Sequence, residues 1–276
     1  MRHAPTLLAK IALLAGLCAG RVASADDPVE ARLLTAPTAW LPPAGAVTAS
    51  VAFEPSVEAR DDGALIVGYG LGGLAALELS VDTEVRTCTS CDRPANARWF
   101  PRASFRMGTP QDTGFRGMPA LALGVKNTFA TPGFGVFDEP RVTEAYLVAS
   151  RDLTVVRLHA GVMAIAAAFG DFELEPVLRP IAGLELRPPT WPRSSFLADI
   201  GWSTRLEAEA EPSERRGPRP ELMIGGGARF QFFTWASIEL GVRFPQEEGL
   251  AGGKILVRLN GVWELATPQK RRLKLR

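Results

Sequence analysis

The chain has 276 residues, of which 46% are hydrophobic, and its 31 basic and 30 acidic residues give a formal net charge of +1. This balance lacks the basic excess that nucleic-acid binding requires, so we predict no nucleic-acid partner. Beyond the N-terminus no run of about 18 apolar residues occurs, which disfavours a helical membrane protein. The 27 Gly and 22 Pro residues also disfavour long helices.

The first 25 residues predict a secretory signal peptide. Basic residues precede an apolar run over residues 11–19, and an A-x-A cleavage site, Ala23-Ser24-Ala25, follows. The run is well short of the ~20 residues that span a bilayer, which disfavours an uncleaved anchor. Cys18 raises the alternative of a lipoprotein, but Leu17 before it is larger than the small residue that lipidation favours.

After the signal, apolar and polar residues alternate in about a dozen stretches, most regularly over residues 196–209. There Phe196, Ile200 and Leu206 share one face, whereas Asp199, Arg205 and Glu207 share the other. A period of two predicts a β-strand between two unlike surroundings. The predicted strands are 47–53, 63–70, 74–86, 97–107, 119–129, 141–150, 154–163, 180–187, 196–209, 221–232, 235–244 and 254–265. We predict an all-β fold, an antiparallel transmembrane β-barrel of about twelve strands (range about ten to fourteen).

The connections between these strands support an even strand number. If both termini are periplasmic, the three shortest connections, 71–73, 151–153 and 233–234, all lie on the periplasmic side. Outer-membrane barrels place their short turns there and their longer loops outside. Residues 164–179 remain open between a loop and an extension of the flanking strands.

A secreted β-sandwich is the main alternative, because its strands alternate too. The charges on nearly every polar face argue against it. So do aromatic residues near strand ends, which are typical of the girdles of outer-membrane barrels. These residues are Phe53, Trp99, Phe196, Trp235, Phe244 and Trp263.

The predicted organisation has four parts: a signal peptide over 1–25, a periplasmic segment over 26–45, the barrel over 46–265 and a basic tail over 266–276. The signal contains three basic residues and no acidic one, so cleavage leaves 28 basic residues against 30 acidic. The tail is either a solvated end or a contact with anionic lipid headgroups or cell-wall polymer.

Cys88-Thr89-Ser90-Cys91 holds the only cysteine pair after the signal. Export to an oxidising compartment favours a structural disulfide between Cys88 and Cys91 in an extracellular loop. A redox role would place the motif at a helix N-terminus in a βαβ setting. Zinc would need two further ligands, so we predict neither a metal site nor any cofactor.

His159 is the only histidine after the signal and lies on the polar face of its strand. A barrel-embedded lipid hydrolase would need a serine activated by this histidine. Ser150, Ser194 and Ser195 are available, but their spacing pairs none of them with His159. We therefore predict a polar residue of the lumen, no catalytic residue and no enzyme.

The polar faces of the strands predict a charged lumen. The predicted lumen-lining residues are Arg102, Arg106, Lys126, Arg157, His159, Arg205, Glu207, Arg229, Glu239, Arg243 and Arg258. In a narrow barrel such side chains pair and fill the interior. In a wider barrel they line a polar path whose charge tunes selectivity. Twelve strands lie between these two regimes, and both alternatives stay open.

Two stretches resemble a known family. Residues 34–45 read LTAPTAWLPPAG, which looks like the opening of YjbH-type outer-membrane proteins, and Pro119–Asn127 with Glu144–Arg151 look like two strands of that family. The resemblance covers roughly residues 33–160. It implies a barrel associated with exopolysaccharide production, and it identifies no catalytic residue.

The leading hypothesis is a non-enzymatic barrel of the bacterial outer membrane linked to exopolysaccharide or envelope biogenesis. The alternatives are a general pore for small solutes, a lipid hydrolase that uses His159, and a soluble periplasmic β-sandwich that binds a ligand. The expected partners are outer-membrane lipids, together with polysaccharide or envelope-assembly proteins under the leading hypothesis.

Overall fold

The computed structural model describes residues 32–54, 62–71, 74–82, 86–88, 100–128, 141–169, 172–207, 219–246, 249 and 252–264. The predicted signal peptide and basic tail lie outside the described residues. No helix in the described part of the chain is long and apolar enough to cross a membrane.

The described residues form thirteen β-strands. They are β1 (Ala46–Glu54), β2 (Asp62–Gly70), β3 (Ala75–Asp82), β4 (Arg86–Cys88), β5 (Phe100–Thr109), β6 (Ala120–Thr128), β7 (Arg141–Asp152), β8 (Val156–Phe169), β9 (Phe172–Leu186), β10 (Ser194–Glu207), β11 (Arg219–Phe233), β12 (Ala236–Pro245) and β13 (Lys254–Glu264).

Twelve of these strands form a closed ring, because every strand except β4 pairs antiparallel with its neighbours and β1 pairs with β13. The predicted twelve-stranded antiparallel barrel is therefore confirmed. The short β4 lies outside the ring sequence and pairs parallel with the last residues of β10. Closure removes the free edges that an open sheet would expose.

The alternation of the sequence becomes the inside and outside of the barrel. In β10, Phe196 and Ile200 are exposed on the outer face, whereas Leu197 and Asp199 are buried on the inner face. Strand β6 repeats the pattern. Leu123 is exposed on the outer face, and the residues directly before and after it are buried on the inner face. Exposed apolar side chains on one face and buried charges on the other suit a wall between lipid and a polar lumen.

The three shortest predicted connections all lie at one end of the barrel. The first residue of β1 and the last residue of β13 lie at the same end. We call this the turn end, and the opposite end the loop end. The observed turns there are 153–155 and 234–235, with longer turns at 110–119 and 187–193, and the connection from Gly70 of β2 to Ala75 of β3 lies at the same end. Aromatic rings cluster at this end, where Trp235 lies 5.4 Å from Phe233 and 5.6 Å from Trp263 between ring centroids.

Of residues 164–179, those that the structure describes, 164–169 and 172–179, extend the two flanking strands. Strands β8 and β9 stay paired up to Phe169 and Phe172, with one irregularity between Ile165 and Ala167. This hairpin makes a two-residue connection at the loop end, where the parity rule predicts long loops. The alternation is weak here because most of β9 before Ile181 is exposed on both faces.

Candidate functional site

The interior of the barrel contains a piece of the chain itself. Residues 32–41, which we call the inserted segment, precede β1 and pack against the inner faces of the strands. Leu33 is 1% exposed and Leu34 is fully buried. Residues 26–45 are predicted from the sequence as a periplasmic segment, whereas residues 33–39 of it lie inside the barrel. The segment enters at the turn end, where Gly45 N–H donates to the carbonyl of Gly70 over 2.9 Å.

Two buried charged side chains hold the backbone of the inserted segment. One carboxylate oxygen of Asp199 accepts hydrogen bonds from the N–H groups of Thr35 and Ala36, at 2.6 and 2.7 Å. The guanidinium of Arg258 donates to the carbonyls of Leu33 and Leu34, at 2.6 and 2.8 Å. Of four consecutive residues, the first two thus use their carbonyls and the next two their N–H groups. Charge-assisted hydrogen bonds of this kind are the stronger class in proteins.

A floor of glycines lets the segment approach the wall this closely. A Cβ atom at Gly183 would lie 2.1 Å from Leu33 Cδ1, and one at Gly241 would lie 2.9 Å from Leu34 Cδ2. On the two strands between them, a Cβ at Gly201 would lie 2.7 Å from Thr35 Cγ2, and one at Gly225 would lie 2.5 Å from Asp199 Oδ1 and 3.0 Å from Leu34 Cδ1. Glycine in a strand marks a close approach of another backbone, and here one glycine on each of β9 to β12 serves that purpose.

Charge pairs line the wall around the segment. Glu239, which is fully buried, contacts Arg258 at 2.9 Å and Arg229 at 2.6 Å. Arg229 and Arg157 both approach Glu185, at 3.5 and 3.7 Å. The network extends across neighbouring strands, and Glu239, Arg229 and Glu185 each contact two oppositely charged side chains, so their buried charges compensate one another.

A second group of pairs lies on the opposite side of the interior. Glu78 contacts Arg32 of the inserted segment at 2.9 Å and Arg106 at 3.3 Å. Arg102 contacts Glu144 at 2.6 Å. The inserted segment is thus bound by the ion pair of Arg32 with Glu78 as well as by backbone hydrogen bonds.

The predicted lumen residues fall into two groups. Those whose side chains are described lie on the inner face: Arg102, Arg106, Lys126, His159, Arg229, Glu239, Arg243 and Arg258 are buried, and Arg157 is half-buried. Arg243 pairs with Glu54. Arg205 and Glu207 belong to β10, but their side chains lie outside the description. Whether the group lines a path for solute stays a prediction.

Ser150 and His159 meet, although their spacing gave no reason to pair them. Ser150 lies opposite His159 in the β7–β8 ladder, and its Oγ is 2.8 Å from Nδ1 of the histidine. The same hydroxyl accepts the N–H of Ala39 at 2.8 Å and is 1% exposed beneath the inserted segment. A nucleophile must be reachable by its substrate, so this geometry supports a tie between segment and wall.

The cysteine motif lies only partly within the described residues. Cys88 lies in β4, and Cys91 lies outside the described residues, as does the predicted disulfide. Among the described residues, no cluster of three or more His, Cys, Asp or Glu side chains could hold a metal ion.

Asp112 lies at the turn end, outside the membrane, and hydrogen bonds to its carboxylate lower its pKa. Arg151 donates to its carboxylate at 2.8 Å, and the N–H of Gly117 donates at 2.7 Å. These bonds lower the pKa of Asp112 from 3.8 to about 2. The carboxylate therefore stays charged and fixes the turn over 110–119.

Comparisons with known proteins identify the fold. The COG4313 outer membrane channel from Pseudomonas putida F1 aligns over 86% of this chain and 98% of that chain, with a TM-score of 0.50 and 14% identity. The NanC porin aligns over 79% and 98%, with a TM-score of 0.50 and 8% identity. This chain has the fold of outer-membrane β-barrels.

No family model matches the chain. No curated protein matches it either. The resemblance to YjbH-type proteins is therefore not confirmed. The residues that carry its first motif, Leu34 to Gly45, are largely those of the inserted segment.

Proposed function

We propose that this protein is an outer-membrane channel for small polar solutes whose lumen is closed by its own N-terminal segment. The observation that carries the proposal is the course of residues 32–41 through the interior. A barrel that needed only a filled core could use wall side chains alone. This wall instead has glycines where the segment passes, so it is shaped to accept a removable occupant.

The inserted segment leaves little room for a solute. Two cavities beside it, lined by described residues, measure about 50 Å³ each. A single water needs about 10–15 Å³ measured in this way, so each cavity holds a few waters. Passage of a sugar or an organic ion would require the segment to move.

The attachments of the segment suit reversible release. They are hydrogen bonds, ion pairs and van der Waals contacts, and the covalent tether to β1 is at the turn end. Arg258 and Arg229 keep their pairing with Glu239 if the segment leaves, which limits the cost of an empty lumen. The buried charged residues of the described interior number seven basic and six acidic, a near balance that favours a path for neutral or zwitterionic solutes.

The orientation follows from the turns. Outer-membrane barrels carry short turns on the periplasmic side, so the segment enters from the periplasm.

Planar-bilayer recording tests the proposal. The purified full-length mature protein is compared with a variant that lacks residues 32–41. We expect low conductance with rare openings for the full chain and a large, steady conductance for the variant. Liposome swelling in small sugars should follow the same order. Equal conductance of the two folded proteins would contradict closure by the segment.

A role in exopolysaccharide or envelope biogenesis is the second candidate, and it rests on the resemblance over residues 33–160. If it is correct, deletion of the gene should lower surface polysaccharide, and the variant lacking residues 32–41 should not restore it. An unchanged polysaccharide layer after deletion would remove this candidate and leave the channel proposal standing.

A further inference from the structure

A basic cavity opens at the turn end of the barrel, between the inner faces of β8 to β11 and the turn at 187–193. It measures about 30 Å³. Its charged lining residues are Arg157, Arg187, Arg193, Arg229 and Glu185. The turns on both sides, 153–155, 187–193 and 234–235, are described throughout, so the strand connections that border the cavity are all accounted for. Four guanidinium groups thus surround a single carboxylate.

Three of the four arginines have carboxylate partners. These pairs are Arg157 with Asp152, Arg187 with Asp152 and Arg229 with Glu239, at 2.8, 2.6 and 2.6 Å. Arg193 differs from them, because it is exposed and its guanidinium makes no hydrogen bond or ion pair with another described residue. The excess of positive charge is local, since the buried charges of the described interior are nearly balanced.

Ser195 supplies a second polar group of the cavity without a protein partner. It is 5% exposed and lies opposite Arg229 in the β10–β11 ladder, and its hydroxyl forms no hydrogen bond with another described residue. Burying a hydroxyl without a partner costs free energy, so the site calls for a missing partner. Attachment of the turn to the wall accounts for Arg187 through its bonds to Asp152, but for neither Arg193 nor Ser195.

We propose that this cavity binds the oxyanion group, a carboxylate or a phosphate, of a small solute that arrives from the turn end. Arg193 and Ser195 donate hydrogen bonds to it, and the other guanidinium groups supply positive charge around it. The planar fork of arginine matches the geometry of an oxyanion, and hydrogen bonds between charged groups are the stronger class. Each water needs about 10–15 Å³ measured in this way, so the cavity admits about two or three oxygen atoms.

The cavity lies beside the inserted segment, at the mouth of the lumen. The guanidinium of Arg157 lies 5.6 Å from the centre of the Trp40 ring, and Arg229 donates to the carbonyl of Arg32 at 3.5 Å. Because the cavity is on the inner faces of the strands, its ligand comes from the aqueous phase and not from the lipid. The site goes beyond the proposed channel, since binding requires neither release of the segment nor conduction.

Isothermal titration calorimetry of the purified mature protein in an uncharged detergent tests the site. The probes are inorganic phosphate, acetate and glucose 6-phosphate, with glucose as the neutral comparison. We expect the three anions to bind and glucose not to bind. Binding should weaken as sodium chloride rises from about 50 to about 500 mM, because salt screens accessible charges. Tighter binding of glucose 6-phosphate than of phosphate would identify the anionic group of a larger solute, whereas equal binding would identify the free oxyanion.

Variants of the two donors locate the binding. Arg193→Gln should weaken phosphate binding by about tenfold or more, and Ser195→Ala by several-fold, because each loses a hydrogen bond to the anion. Arg193→Lys keeps the charge without the fork and should lie between the glutamine variant and the unmodified protein. The matched control is Arg116→Gln, which removes an exposed arginine from the turn at 110–119 at the same end and should leave the affinity unchanged. Heat-modifiable migration on gels reports folding, and the exposed position of Arg193 keeps its variants testable if Ser195→Ala fails to fold.

Equal phosphate affinity of the folded Arg193→Gln and Arg116→Gln variants would overturn the site, as would a failure of all three anions to bind. Binding that appears only when Asp26→Asn, Asp27→Asn and Glu30→Gln are combined would also overturn it, because the occupant would then be the chain's own acidic residues. None of these results bears on conductance after deletion of residues 32–41, so the failure of the anion site and the failure of the channel are distinguishable.

Discussion

Replacement of Asp199 by alanine should open the channel without removing any part of the inserted segment. The Asp199 carboxylate accepts two backbone hydrogen bonds, from Thr35 and Ala36, and it is 3% exposed. Hydrogen bonds to a charged group contribute about 1.5–3 kcal/mol each, and water replaces part of that when the segment is released. A net loss of about 3 kcal/mol shifts the equilibrium between inserted and released segment by about a hundredfold.

Single-channel recording in planar bilayers measures this shift as open probability. Asp199→Asn keeps one acceptor oxygen and should fall between the alanine variant and the unmodified protein. Glu144→Ala is the matched control, because it removes an interior carboxylate that pairs with Arg102 and has no described bond to the segment. It should leave open probability unchanged.

An Asp199→Ala channel that opens no more often than Glu144→Ala would refute the idea that this carboxylate holds the segment. Accessibility of the segment gives an independent measure. A cysteine in place of Thr35 should react with a periplasmic thiol reagent faster when Asp199 is alanine. Equal reaction rates would contradict the same reasoning, whatever the conductance.

Three further outcomes follow from the geometry. Gly183→Val places side-chain atoms where Leu33 lies and should displace the segment, raising bilayer conductance towards that of the deletion variant; unchanged conductance would count against the glycine floor. Because the pKa of Asp112 is lowered to about 2, its contribution to the turn is complete above its unfolded value near 4 and is lost as pH falls through about 2; proteolysis of the turn at 110–119 should increase over that interval, and Asp112→Asn should remove the pH dependence. Leu123→Arg puts a charge on the lipid face and should lower the free energy of unfolding in lipid vesicles by about 2–4 kcal/mol near the bilayer midplane, which urea titration measures; a loss below about 0.5 kcal/mol would mean that this face does not meet lipid.

Local pattern predicted the wall because each strand has two unlike surroundings. Phe196 and Ile200 face lipid, whereas Asp199 faces the lumen. Successive side chains of a strand point to opposite faces, so these two surroundings appear in the sequence as a period of two. The same reasoning did not decide between a loop and an extension of the strands over 164–179, because β9 is exposed on both faces there and its sequence carries no alternation.

The inserted segment could not be predicted because its contacts are long-range and it has no period of its own. Leu33 and Leu34 are buried by strands more than 140 residues away in sequence, at Gly183, Gly225 and Gly241. Glycines on neighbouring strands were the available signal, since glycine in a strand marks a close approach of another backbone or side chain. Ser150 and His159 likewise meet only through the register of β7 and β8.

The sequence by itself determined the wall: its class, its strand number and the charged character of its inner face follow from periodicity and turns, which are local properties. The tertiary structure decided what occupies the lumen and which polar groups meet there. Closure of the ring brings Asp199 and Arg258 to one run of four residues of the segment, and the register of β7 and β8 places Ser150 opposite His159. Both depend on which distant strands become neighbours, and no local pattern encodes that.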